Sequence, residues 1–397
     1  MPVRDADIAR ALHPLLAGDP GTVAERLHAL PDGAHCAVLD GGERVWLFSR
    51  HAHVRQLLAD PRLSLDKRHS RAGYEGFGLP PALDANLLNL DGEDHARLRR
   101  LAASAFTARR TDLLRDRVRA VADSLIDDFP VGESVDLVEA YCAPLPVIVI
   151  SELLGVPAQE TAALRECTKV MLAPDRFGPA DLAATVGQIV TILAKLIAAK
   201  RRDPADDLLS GMIEARDGDD RLNEDELLSL AFLTMFAGFE NSVHLISASV
   251  ARLLADEERA AAVRAERSPY TPVMDRLVDE HLRLDQPLTT GFRRFPTQDI
   301  VIGDNLISAG DTVMPAIAAA NHDSTAEAAH LSFGHGVHYC LGAPLARLEL
   351  RTAIWALLHR LPDIALAVPA DQLTWKSNYR QNALSALPVT VSPQSTR

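Results

Sequence analysis

Three groups of residues in this chain have types and spacings suited to chemistry. The first is Phe333-Gly-His-Gly-Val-His338-Tyr-Cys340-Leu-Gly342. Here one cysteine stands behind a glycine-rich bend and directly before a helical run, Ala343 to Leu350, with proline in its first turn, where a missing N–H costs least. Glycines 334 and 336 permit backbone conformations and close approaches that a Cβ forbids, so the segment can fold beneath a flat ligand. A thiol at a helix N-terminus meets the positive end of the dipole and free N–H groups, which are expected to favour the thiolate and lower its pKa. The second group is His95 and Arg99, four apart and on one face of a helix that opens at Asp91-Gly-Glu-Asp. The third is Met235-Phe236-Ala237-Gly238-Phe-Glu240-Asn241-Ser242, a carboxyl, an amide and a hydroxyl inside an apolar helical run. A lone cysteine is usually a small buried hydrophobe, and a lone charged pair is usually solvated surface; the weight lies in the combination.

The elements that must position these residues can be read from periodicity. Residues 222 to 255 form the longest helical pattern, opened by Asn223 with acids behind it, and the centre from Leu230 to Val250 is nearly all apolar. Such a helix must cross the interior. The first 65 residues read as a short helix, strand-like runs at 36–39 and 45–48 joined by Asp40-Gly-Gly, and a helix from His51 to Ala59; the Asp-Gly-Gly between apolar runs signals a hairpin. Residues 66 to 90 read as a long loop. From Asp112 to Lys200 the pattern is amphipathic helix, broken at 173–179. Strands and turns follow residue 300. The expected fold is mainly α with a small β portion, in a single domain over residues 1–397, since no low-complexity linker or internal repeat divides the chain.

Composition narrows the function classes. A formal charge of −13 over 397 residues argues against broad binding to nucleic acid or to an anionic membrane, both of which need a dominant basic surface. The four cysteines, Cys36, Cys142, Cys167 and Cys340, have no Cys-x-x-Cys spacing. The N-terminus lacks a basic-then-apolar leader, and the apolar run from Pro144 to Leu154 falls short of the roughly 20 residues of a membrane span. These features predict a cytoplasmic chain.

Phe-Gly-x-Gly-x-His-x-Cys-Leu-Gly, in this order, resembles the haem-thiolate signature of the cytochrome P-450 family, and the likeness extends from His95 to the Leu387-Pro-Val strand. The resemblance implies the triangular helical fold with a long central helix, soluble as in bacterial members, and one haem b. Cys340 would ligate the iron, with Phe333 and Gly342 beside it, and His95, Arg99, Arg294 and His338 would hold the propionates. Thiolate ligation favours O–O cleavage, which is why the chemistry needs a cysteine. Gly238 would permit close approach of dioxygen, and Glu240 would support protonation. Glu280 and Arg283 resemble the buried Glu-x-x-Arg brace of the haem pocket. Met235, Phe236, Ala237, Leu288, Thr289 and Leu384 would line the substrate pocket. The implied activity is monooxygenation of a small organic, secondary-metabolite substrate by a monomer that draws electrons from ferredoxin and ferredoxin reductase. Arg97, Arg100, Arg347 and Arg351 would form a local basic face for that donor.

The chain departs from the family pattern twice. Asn241 replaces the usual threonine; an amide has fixed donor and acceptor ends and cannot relay a proton as a hydroxyl does. Between Asn321 and Phe333 the usual long meander, with its third bracing arginine, is reduced to a few residues, and His330 is the one candidate to replace that arginine. Two alternatives to hydroxylation follow: oxidative coupling of aromatic or peptide groups, which inserts no oxygen, and a haem-binding recruitment module without turnover.

Overall fold

The computed structural model describes residues 3–391 apart from 41, 75–80, 85, 107, 131–132, 173–176, 215, 218–219, 325–328 and 378–379. Its axis is the central helix, Glu224–Leu254, about 46 Å long at 1.5 Å per residue. Asn223 caps it reciprocally: its Oδ1 accepts from the N–H of Glu226 at 2.8 Å, and Glu226 Oε2 accepts from the N–H of Asn223 at 3.0 Å. Three acids in the first turn suit the dipole. Twenty of the helix residues are buried, as the apolar centre requires.

Around this axis pack the helices Pro144–Leu153, Pro179–Arg202 and Ala343–Arg360, and Arg115–Asp127 packs on the first and last of these. Ala343–Arg360 follows Cys340 and is here termed the thiolate helix. Two buried hydrogen bonds fix it. Ser242 Oγ donates to Glu349 Oε2 at 2.6 Å, and Tyr141 Oη donates to the carbonyl of Ala353 at 2.9 Å. Within Pro179–Arg202, the stretch Ala180–Arg202 is long and apolar enough to cross a membrane by length and composition, a stronger candidate than the run from Pro144. It packs against Ala158–Leu172, Leu208–Glu214 and the central helix, as a core-facing helix does.

The β portion lies beside the helices in small sheets. Ala34–Val38 and Arg44–Phe48 form the expected antiparallel hairpin, and Thr312–Pro315 adds in parallel with Thr312 opposite Val45. Two helices precede this sheet where the sequence suggests one: Asp5–Leu16 and Pro20–His28, the second capped by Asp19 and started by proline. The cover segment expected as loop holds a short 3-10 turn, Lys67–His69, and a helical turn, Pro81–Asp84, which Ser229 of the central helix secures through the Leu83 carbonyl at 2.8 Å. The rest of that segment at 75–80, most of the breaker at 173–179 and the centre of the shortened meander lie outside the described residues.

Gly238 has a packing reason. A Cβ there would stand 2.7 Å from Ile150 Cγ1 and 2.8 Å from Cδ1, so the glycine lets Pro144–Leu153 lie close against the central helix. Gly238→Ala should therefore lower stability by about 1–3 kcal/mol through overpacking. The penalty should shrink in an Ile150→Ala background, measured by denaturant unfolding of all four proteins; equal penalties in both backgrounds would refute the contact.

Burial pushes the Glu349 carboxyl up to about 8, with the Ser242 hydrogen bond opposing. Between the unfolded value near 4.5 and the folded one, the native state keeps a proton that the unfolded chain loses. Stability thus falls as pH rises through this window, by up to about 1.4 kcal/mol per unit. Glu349→Gln keeps a partner for Ser242 and removes the ionisation. Its Tm advantage over the natural protein should widen from pH 5 to pH 8, and a constant difference would count against a buried neutral carboxyl.

Candidate haem-thiolate site

The cysteine loop owes its shape to backbone geometry. Gly334 and Gly336 have φ of +75° and +77°, a region costly for other residues, and a Cβ at 336 would meet the Leu58 carbonyl oxygen at 3.1 Å. The N–H of Cys340 donates to the Phe333 carbonyl at 2.9 Å, and Arg99 Nη2 donates to the Tyr339 carbonyl at 2.5 Å. Cys340 is solvent-exposed as a residue, while protein is packed densely around the sides of the thiol that do not face solvent. Burial raises the thiol pKa, while the N–H groups of Gly342 and Ala343 and the charge of Arg99 pull it down without prevailing. The expected net lowering is therefore reversed: desolvation outweighs the helix terminus.

Beside the loop lies a cluster built on Asp91. Its carboxylate accepts from Ser64 Oγ and the N–H of Leu65, both at 2.6 Å, and is 3.0 Å from His338 Nε2. Burial opposes its ionisation, but these hydrogen bonds hold it well below the usual carboxylate range. His338 thus spends Nε2 on Asp91, and its ring lies 4.1 Å from that of His95. His95 is 3% exposed, and burial, His338 and Arg99 bring it down to about 4, so it is neutral at pH 7. Arg294 is 4% exposed, donates to the Leu63 carbonyl at 3.3 Å, and is lowered to about 10 by burial, with Asp91 opposing.

His95 Nε2 and Arg294 Nε are buried polar atoms without partners. Such atoms are costly unless something satisfies them. Two unsatisfied nitrogens beside an accessible cysteine fit the two propionates and the iron of a haem, so the residues present suit the group that the sequence implies.

The central helix turns a distinct face to this site. Ala237 is exposed in the middle of an otherwise buried stretch, and Asn241, one turn on, is half-buried with Oδ1 unpartnered. Glu240 faces elsewhere: burial raises its pKa, while Arg380 and a hydrogen bond from Gln381, on the segment entering the strand Asn382–Leu384, oppose the shift. Ser242 is turned to Glu349, a residue that sequence reasoning missed. The available signal was its setting, a glutamate between Leu348 and Leu350 on a helix apolar on most sides.

Several expected roles meet different surroundings. Met235 and Leu384, each 1% exposed, are packed in the main hydrophobic cluster. Phe236 is half-buried, 6.4 Å from Phe232 and 5.8 Å from Phe239 between ring centroids. Leu288 does line a small cavity of about 50 Å³, with Lys67, Tyr74, Arg293 and Arg380. Thr289 is buried with its hydroxyl unpartnered.

Glu280 and Arg283 do not pair. Glu280 binds Arg259 at 2.6 Å, and the exposed Arg283 donates to the Asn321 carbonyl at 3.3 Å. A buried polar contact at the end of that helix joins His281 Nδ1 to Asp285 Oδ2 at 2.5 Å, with Arg252 on the other Asp285 oxygen at 2.7 Å. His330 joins neither Glu280 nor Arg283, but approaches Asp279 and Arg347. The expected basic face is partly neutralised, since Arg97 pairs with Glu226, Arg347 with Asp279, and Arg351 with Asp275 at 2.8 Å.

Comparison with known proteins matches this architecture. The Cytochrome P450 family model matches residues 185–326. The cytochrome P450 monooxygenase PikC of Streptomyces venezuelae is 39% identical over 389 residues, covering 94% of this chain and 91% of its own. Vitamin D(3) 25-hydroxylase of Pseudonocardia autotrophica is 36% identical, covering 96% and 94%. The tirandamycin C-bound P450 monooxygenase TamI superposes with a TM-score of 0.82 at 35% identity, covering 99% of this chain and all of its own. The chain therefore belongs to the cytochrome P450 family and is a monooxygenase with haem b as its cofactor.

Proposed function

We propose that this enzyme hydroxylates a small, largely apolar secondary metabolite with dioxygen, taking electrons from a ferredoxin and its reductase, as a single-domain cytoplasmic monomer. The observation that carries the site assignment is the pair of orphaned nitrogens, His95 Nε2 and Arg294 Nε, beside the accessible Cys340. The relatives named as monooxygenases and as a hydroxylase span nearly the whole chain, which supports the reaction class.

In this reading Cys340 is the iron ligand. His95, Arg294 and Arg99 hold the propionate side, and Asp91 orients His338 against His95. Haem supplies the activation of dioxygen, favoured by electron release from the thiolate. The chain's own residues do the rest. Phe333 shields the sulfur from water, and the small Ala237 leaves room on the central helix where substrate and dioxygen meet. Glu349, raised to about 8, holds a proton at neutral pH and is hydrogen-bonded to Ser242, next in sequence to Asn241. Glu240, also raised, is a second proton holder on the same helix. Leu288, bridged to Gln381, and its neighbour Thr289 present substrate from the haem edge. Electron donors approach on the cysteine side, where Val337 and Tyr339 are exposed. Because Arg97, Arg347 and Arg351 have acidic partners there, salt should affect docking less than four unpaired arginines would imply.

Asn241 favours a second reading, oxidative coupling, in which no oxygen atom enters the product. Its unpartnered Oδ1 can accept a hydrogen bond from a substrate hydroxyl but cannot pass a proton on.

Cys340→Ser should abolish the long-wavelength Soret band of the reduced carbon monoxide complex while leaving the apoprotein folded. An unchanged band would sink the ligand assignment. Asn241→Thr separates the two reactions: product formed per NADPH consumed should rise for a hydroxylation, with the new oxygen traced from labelled dioxygen. No rise for a labelled product would defeat the idea that Asn241 limits proton delivery.

A further inference from the structure

Three segments meet near the Phe333 ring. Asp279 comes from the helix Pro272–Leu284, His330 from the chain just before the cysteine loop, and Arg347 from the thiolate helix just after it. Arg347 binds Asp279 through Nη1, and its Nη2 lies 3.3 Å from His330 Nε2. The guanidinium carbon stands 5.4 Å from the centre of the Phe333 ring, and the His330 ring is 5.9 Å from it. A cation over an aromatic face is attracted by the ring quadrupole. Burial and the charge of Arg347 hold His330 below its ordinary range. Its Nδ1 accepts from the N–H of Ser332 at 3.3 Å, so Nε2 carries the ring proton and faces Asp279 Oδ1 at 3.6 Å.

The same end of the loop is stitched by neutral hydrogen bonds. Asn321 Oδ1 accepts from the N–H of Leu331 at 2.7 Å, and its Nδ2 donates to Ser332 Oγ at 2.8 Å. Ser332 Oγ donates in turn to the Leu282 carbonyl at 2.6 Å. Glu280, by contrast, ties its helix to Glu257–Ala265 and touches neither flank of the loop.

We propose that Asp279, His330 and Arg347, gathered against Phe333, are the positioning residues that hold the cysteine loop in this chain, in place of a Glu280–Arg283 pair. The arrangement clamps the loop from both flanks, since His330 lies ten residues before Cys340 and Arg347 seven after it. With a short connection between Asn321 and Phe333 there is no long meander to supply a third arginine for Glu280. Arg347 takes over the bracing from the other side of the loop. This rests on Cys340 being the iron ligand.

The test uses haem-loaded protein reduced with dithionite, so that no redox partner enters. Haem per chain, the Soret position of the carbon monoxide complex and the midpoint potential are measured for Arg347→Gln, Asp279→Ala, Glu280→Gln and Arg283→Gln. Arg347→Gln should move most of the complex to the short-wavelength band of a lost thiolate bond. Asp279→Ala should move a smaller fraction and shift the potential, because Arg347 then loses its anchor. Glu280→Gln and Arg283→Gln should match the natural protein in all three readouts. Should Arg347→Gln fail to accumulate, Asp279→Ala decides, since its carboxylate is more than half exposed and the fold does not depend on it. Loss of the long-wavelength band in Glu280→Gln, or its full retention with an unchanged potential in Asp279→Ala, overturns the proposal. A natural protein without the long-wavelength band would instead overturn the assignment of Cys340.

Discussion

A thiol has to be held open to a ligand on one side while every other atom of its loop is tied down, and most of this structure serves that constraint. The loop has little to hold itself with, since two of its glycines sit at positive φ and its internal backbone bonds are Cys340 to Phe333 and Tyr339 to Gly336. Its rigidity is borrowed. Gly336 is pressed against the end of His51–Ala59, Arg99 grips the Tyr339 carbonyl, and the thiolate helix that follows is bolted to the central helix and to Tyr141. Each support belongs to a different part of the chain, so the position of the sulfur reports on the assembly of nearly all of it.

The central helix meets the opposite demand. It is largely buried, yet it carries Glu240, Asn241, Ser242 and His244 in five consecutive positions, a placement that costs stability unless each group is satisfied or neutral. Neutrality is the solution used. Burial raises Glu240 and brings His244 down to about 3, and Glu349 facing Ser242 is raised as well. Polar groups kept neutral by desolvation can hold or accept protons without carrying charge into the core. The large apolar cluster on both sides offsets the cost.

Features governed by local signals were legible in the sequence. Asn223 and Glu226 announce the start of the central helix, Asp40-Gly-Gly announces the hairpin, and the glycines around His335 announce the bend before Cys340. Asp19-Pro20 carried an equally good start signal for the second N-terminal helix. What escaped was partner choice. Spacing places Glu280 and Arg283 on neighbouring positions of one helix, but Arg259 and Asn321, 21 and 38 residues away in sequence, compete for them and win. The pKa of Cys340 escaped for a similar reason, since the dipole is a local property and desolvation depends on everything packed around the sulfur. Glu349 received no role in the sequence reading, because its burial is decided by the central helix.

Energetics explain how one bracing arrangement can give way to another. A buried ion pair gains little over a well-packed alternative, because desolvation cancels most of the Coulomb attraction. What matters to the loop is that some rigid contact exists and that it spans Cys340. Arg347 is suited to this: a planar cation can bind a carboxylate with one edge and lie over a ring with its face, so one side chain fixes both Asp279 and Phe333. Its partner Asp279 remains more than half exposed, so the pair avoids the full desolvation penalty. An exposed ion pair alone contributes little. Joined to a ring that leans on the sulfur loop, the same pair converts modest energy into position, and position is what thiolate ligation requires.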